Sequence, residues 1–292
     1  MSSTRPSRAV VQAALAVSVV VGASLVHGGE GEPAPAFPWP AGARAAAALT
    51  YDDGMDVHLD HVAPDLDAAG LKGTFFVTGQ SESLARRLPE WRALGLRGHE
   101  LANHALFHPC LVRPPGGGDR TWVRPEYALE GYTVKRIVDE AAVMNTMLLA
   151  LDGPRPRTFA YNCTDTTAGG ESYVDALRPL FLAARIGGER IVEDVRGLDP
   201  FRVPSWAFEG ASGPQMIAFV QKAVDAGGLA VFQFHGVGGG WIAVSREAHR
   251  ELLEWLAAHR ELVWTGTFRD VMAHVRAEGE GAGDAPAPSA RE

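Results

Sequence analysis

Short apolar runs alternate with stretches of helical spacing along most of this chain, and that alternation leaves few folds open. Strands are predicted at Ala45–Tyr51, Gly73–Val77, Glu100–Asn103, Arg157–Tyr161, Phe181–Ile186, Phe201–Val203, Leu229–Phe234 and Leu262–Thr265. Between and after them, helices are predicted over Val57–Ala69, Ser81–Leu94, Thr133–Leu151, Tyr173–Leu180, Gln215–Ala226, Ser245–His259 and Thr267–Arg276. Helices between successive strands imply a parallel sheet, because a parallel pair needs a crossover that a hairpin turn cannot supply. About seven strands of this kind form either an open doubly wound sheet or a closed barrel. In both, chemistry gathers at the C-terminal ends of the strands.

The termini read differently. Arg5 and Arg8 precede an apolar run, Ala9–Val26, and polarity returns at His27. This is the pattern of a secretory signal peptide, placed at residues 1–28. The run is at the short end for a bilayer span, so cleavage is favoured over a retained anchor, and no stable membrane span is expected after processing. A secreted, periplasmic or cell-envelope location follows. Residues 29–42 are rich in Pro, Ala and Gly and read as a linker or wrapped arm, 43–276 as the folded domain, and 277–292 as a disordered tail. The whole chain carries a net charge of −8 without a basic block, which argues against nucleic acid as a partner.

Three strand ends carry ionisable residues. The first apolar run feeds into Asp52-Asp53-Gly54, where one carboxylate could bind a metal and the other act as a base. An acidic turn would look the same from this stretch alone. The strand at Glu100–Asn103 runs into His104, with His108 four residues on. That spacing puts two imidazoles on one side of a helical turn, close enough to share an ion such as zinc, cobalt or nickel. The strand at Leu229–Phe234 delivers His235, and imidazole is a natural proton donor near neutrality.

Together Thr50-Tyr51-Asp52-Asp53-Gly54, Asn103-His104 with His108-Pro109, and Phe234-His235 resemble the motifs of the polysaccharide deacetylases, the NodB-like carbohydrate esterases of family four. The resemblance spans about Ala43–Arg276. It implies a distorted (β/α) barrel with outer helices. It implies Asp52 as general base, Asp53, His104 and His108 as ligands of a divalent metal, zinc first with cobalt or nickel as alternatives, and His235 as general acid. The substrate would be an acetylated polysaccharide outside the cytoplasm, with N-acetyl groups favoured. An O-acetyl esterase acting on xylan-type glycans and a carbohydrate-binding pseudoenzyme are the alternatives.

The chain departs from that family in places. The third motif usually holds an Arg that buttresses the base, and Phe159-Ala160-Tyr161-Asn162-Cys163 has none. Arg202 is a candidate substitute from another strand, with a surface ion pair as its alternative role. Trp206 is the one candidate for the fourth motif's Trp, and Gln233 stands where the family has Leu. The backbone N–H of Tyr161, or one near Gly54, is the expected oxyanion donor. On this reading Cys110 and Cys163 both lie at the active-site face, where they could bridge; two unrelated core residues are the alternative. Trp122, Tyr127 and Trp241 sit in Gly- or Pro-rich loops, either as sugar-stacking faces or as loop anchors.

Overall fold

The computed structural model describes residues 36–283 of the chain. The expected signal peptide at 1–28 lies outside them, as do residues 29–35 of the linker and 284–292 of the tail. Within them, the strands are β1 (Ala45–Asp52), β2 (Thr74–Val77), β3 (Glu100–Asn103), β4 (Thr158–Ala160), β5 (Thr167–Ala168), β6 (Glu171–Ser172), β7 (Ala183–Ile186), β8 (Val203–Pro204), β9 (Trp206–Ala207), β10 (Leu229–Phe234) and β11 (Val263–Gly266). The α-helices are α1 (Ala63–Ala68), α2 (Glu82–Arg86), α3 (Leu88–Leu96), α4 (Val134–Asp152), α5 (Val174–Leu177), α6 (Gly213–Ala226), α7 (Arg246–Ala258) and α8 (Phe268–Gly283). No described helix is long and apolar enough to cross a membrane.

Nine strands form one sheet in the order β8-β7-β4-β3-β2-β1-β10-β9, with β11 paired to the first half of β1. Every pairing in that sheet is parallel. Strands β8 and β9 are consecutive in the chain but pair with opposite edges, β7 and β10. The stretch Val203–Ala207 therefore draws the two edges together, and the sheet is nearly closed into a barrel surrounded by helices. Strands β5 and β6 form a separate antiparallel ribbon.

Side-chain alternation explains what faces inward. Ala45, Ala47, Leu49 and Tyr51 of β1 pack outward against α1, α6 and α7, together with Phe232 and Phe234 of β10. Ala46 and Ala48 face the barrel interior with Phe76, Ala102, Ala160, Ala183, Val203 and Val231. Continuing each inward row toward the C-terminal end of its strand gives Asp52, His104, Arg185 and Gln233. Toward the other end, Thr74 and Thr158 donate to the carboxylate of Glu100, at 2.8 and 2.6 Å. The backbone N–H of Arg269, in the first turn of α8, donates to the same carboxylate. The interior is thus a small-residue middle layer between two polar ends.

Several expectations change in the structure. The helix expected over Ser81–Leu94 is two helices, α2 and α3, which meet at Arg87 just before Leu88-Pro89, where proline cannot donate to the helical ladder. The helix expected over Tyr173–Leu180 keeps only the four residues of α5. Helix α8 runs on to Gly283, so the first residues of the expected disordered tail are helical. The described part of the expected linker is a packed arm. Trp39 is buried, its Nε1–H donates to Gly227 O at 3.0 Å, and Phe37 and Trp39 stack near His274.

Candidate active site

The cleft at the C-terminal end of the barrel measures about 1230 Å³ and is lined by Asp52, Asp53, His104, His108, Gln233 and His235, among others. It is reached from four strand ends. Asp52 closes β1 on the inward face, and Asp53 follows at φ 76, a left-handed conformation that turns its side chain across the cleft. Gly54 is also left-handed, at φ 69, and a Cβ there would stand 2.7 Å from Val77 Cγ1, so the sharp exit requires glycine.

The two histidines do not share a helical turn. Residues 104–108 form an irregular loop in which Ala105 and His108 have φ of 57 and 50. That loop is fixed from several sides. Asn103 Oδ1 accepts from Ala105 N, Asn162 Nδ2 donates to His104 O, and Thr78 Oγ1 donates to Leu106 O. Gly79 N and Gln80 N donate to Ala105 O and Leu106 O. The imidazoles meet edge-on, 4.9 Å between centroids.

Asp53 Oδ1 lies 3.6 Å from His104 Nε2 and 3.3 Å from His108 Nε2. The three ligand atoms lie within 4.8 Å of one another, close enough to meet one small ion. Asp53 Oδ1 and His104 Nε2 are buried with no hydrogen-bond partner in the protein, which is costly unless a cation meets them. His104 Nδ1 donates to Ala160 O at 2.8 Å, which leaves the Nε2 lone pair aimed at the cluster. Burial holds His104 down to about pH 4, so it is neutral, as a ligand must be. The residues present therefore fit a divalent ion of the zinc type.

Asp52 is wrapped by donors. Arg185 Nη2 reaches both its oxygens, at 2.6 and 2.5 Å, and Gln233 Nε2 reaches Oδ2 at 3.2 Å. Arg185 Nη1 also donates to Ser205 Oγ, which lies 3.2 Å from Gln233 Oε1. Burial pushes the Asp52 carboxyl up, but the Arg185 guanidinium and the nearby His104 and His235 outweigh it and hold it below the usual value. His235 Nε2 stands 3.9 Å from Asp52 Oδ2. The backbone of His235 is held by His58, whose Nε2 donates to His235 O at 2.8 Å while its Nδ1 accepts from Met55 N.

Three expected residues stand elsewhere. Arg202 is half exposed, its Nε 3.9 Å from Asp199, and plays no part around Asp52. Arg185 fills that place. It is the single charged residue of Phe181–Ile186 and shares the inward parity of Ala183, a signal the sequence carried and composition alone hid. Tyr161 donates its hydroxyl to Phe201 O and its backbone N–H to Arg185 O, so that N–H is already committed and is not free to receive an oxyanion. Trp206 packs against Phe208 and Phe219 in the core. Trp122 does border the cleft, 63% exposed.

The long loop from Leu111 to Tyr127 forms one rim. Arg120 ties it down by pairing with Asp165 at 2.6 Å and donating to Cys163 O, and Phe107 stacks on Tyr127. Cys110 and Cys163 are disulfide-bonded beside His108. Opposite, Trp241 reaches in from the loop after His235, and its Nε1–H donates to Asp53 Oδ2 at 2.9 Å.

Residues 41–168 match the family described as polysaccharide deacetylase. Among solved structures, a Mycobacterium smegmatis protein assigned as a polysaccharide deacetylase superposes with a TM-score of 0.57 at 17% identity, covering 89% of this chain and 98% of that one. The catalytic domain of a peptidoglycan N-acetylglucosamine deacetylase from Eubacterium rectale gives 0.50 at 16% identity, covering 76% and 88%. At those identities the structural likeness speaks to the fold, which is the same near-closed barrel.

Proposed function

We propose that this chain, which belongs to the polysaccharide deacetylase family, is a metal-dependent hydrolase that removes acetyl groups, N-acetyl by preference, from a polysaccharide outside the cytoplasm. The observation that carries the reading is the convergence of Asp53, His104 and His108, with Asp52 beside them and not among them. Those three residues would hold the ion, zinc first, with cobalt or nickel as alternatives. When bound there, the ion supplies a Lewis acid that polarises the acetyl carbonyl and acidifies water.

The protein's own groups do the rest. Asp52, ionised at neutral pH because Arg185 holds its carboxyl down, takes the proton of the attacking water. His235, its Nε2 3.9 Å from Asp52 Oδ2, gives a proton to the departing amine or alcohol. Arg185 and Gln233 keep the base in one orientation, which spares reorganisation as charge moves. The cleft holds about 1230 Å³, and Trp122 and Trp241 give it apolar faces suited to sugar rings.

Acetate release from defined glycans tests this. Metal-loaded protein is expected to release acetate from an N-acetylated oligosaccharide. Asp52→Asn is expected to lower the rate at least a hundredfold while metal content stays at the wild-type level. Release from acetylated xylan alone would favour the esterase alternative, and none from any glycan with zinc or cobalt supplied would favour a binding protein.

A further inference from the structure

The loop from Gly236 to Val244 is built to present one side chain. It closes on itself through Gly236 N to Trp241 O, Val244 N to Gly236 O and Gly238 N to Val244 O, at 2.9, 3.0 and 2.9 Å. A Cβ on Gly236 would stand 2.1 Å from Gly239 O, so the fold-back needs glycine there. His61 Nδ1 pins the loop from outside by donating to Val237 O at 2.8 Å. At its tip Trp241 stays 56% exposed, yet its Nε1–H is fixed on Asp53 Oδ2.

An exposed indole gains little from burial where it is, so loop anchoring is a poor account of its place. Its N–H instead splits the roles of the two Asp53 oxygens. Oδ2 is taken by the indole, and Oδ1 is left facing His104 and His108 with no partner of its own. A carboxylate that ligates through one oxygen commonly has the other held by an outer donor, and losing such a donor costs about 10–100-fold in metal affinity.

Building on the metal site argued above, we propose that Trp241 is a positioning residue for Asp53. Its N–H fixes the carboxylate in its ligating orientation, while its open face borders the sugar cleft. One side chain then serves the ion through its nitrogen and the glycan through its ring.

Two variants separate those duties. Trp241→Phe keeps a ring but no donor; Trp241→Ala removes both. Zinc dissociation constants of the apo proteins, measured against a competing chelator, are expected to rise about tenfold or more in both variants. With saturating zinc, the KM for glycan is expected to stay near wild type in Trp241→Phe and to rise in Trp241→Ala. Unchanged thermal unfolding of the apo variants would set aside general loosening. A Trp241→Phe protein that binds zinc as tightly as wild type overturns the proposal and leaves the deacetylase reading intact. A wild-type protein that binds no divalent ion overturns both.

Discussion

Asp52 and Arg185 form a buried pair at the mouth of the barrel, and neither is tolerable there without the other. Removing one member of such a pair leaves an uncompensated charge and costs about 3–5 kcal/mol. Arg185→Met is therefore expected to lower the urea midpoint markedly. The sign of its pH effect follows from the depressed carboxyl. In the wild type, Asp52 contributes stability above its unfolded pKa and loses it as pH falls through the lower folded value. Without Arg185 the folded value rises, so the acidic limb of the acetate-release profile is expected to move to higher pH. A profile with its acidic limb where the wild type has it would separate Arg185 from the base. Asp52, Asp53, His104 and His235 could be picked out as candidates because each closes or follows a predicted strand, and His108 stood out by its nearness to His104 in the chain. Arg185 was not, because a lone arginine in a strand looks like an edge residue until the barrel's inward parity is known.

At the scale of elements, the pattern of apolar residues located most strands, and β3 and β10 fell where alternation put them. It failed where an element is too short to have a pattern. Strands β8 and β9 have two residues each, and their pairing with opposite edges is a property of the closed sheet. The histidine loop failed for another reason: two left-handed residues, neither of them glycine, bring His104 and His108 together, and spacing alone suggested a helix. The small middle layer of the barrel gives a prediction of its own. Ala48 lies in the buried inward cluster with Phe76 and with Val231, its register partner on β10. Ala48→Leu is expected to destabilise the fold by about 1–3 kcal/mol through overpacking, measured by denaturant unfolding. A neutral effect would mean that the interior holds spare volume.

Across the whole molecule, His58, His99 and His249 are buried and neutral, and burial holds each down to about pH 4. The unfolded chain takes up these protons near pH 6.5, ahead of the folded one. Stability is thus full above about pH 6.5 and falls as pH drops toward 4. A thermal-unfolding midpoint that stays flat from pH 7 to 4.5 would contradict this. His58 links that stability to the site, since the same ring holds His235 by its carbonyl. On the proposed function, the strand ends assemble one ion site with a free base beside it. Zinc titration calorimetry on the apo protein tests it most directly. One equivalent is expected to bind to the wild type and to Asp52→Asn, and binding is expected to be lost in His104→Ala. Undiminished binding in His104→Ala, or none in the wild type, would contradict the account.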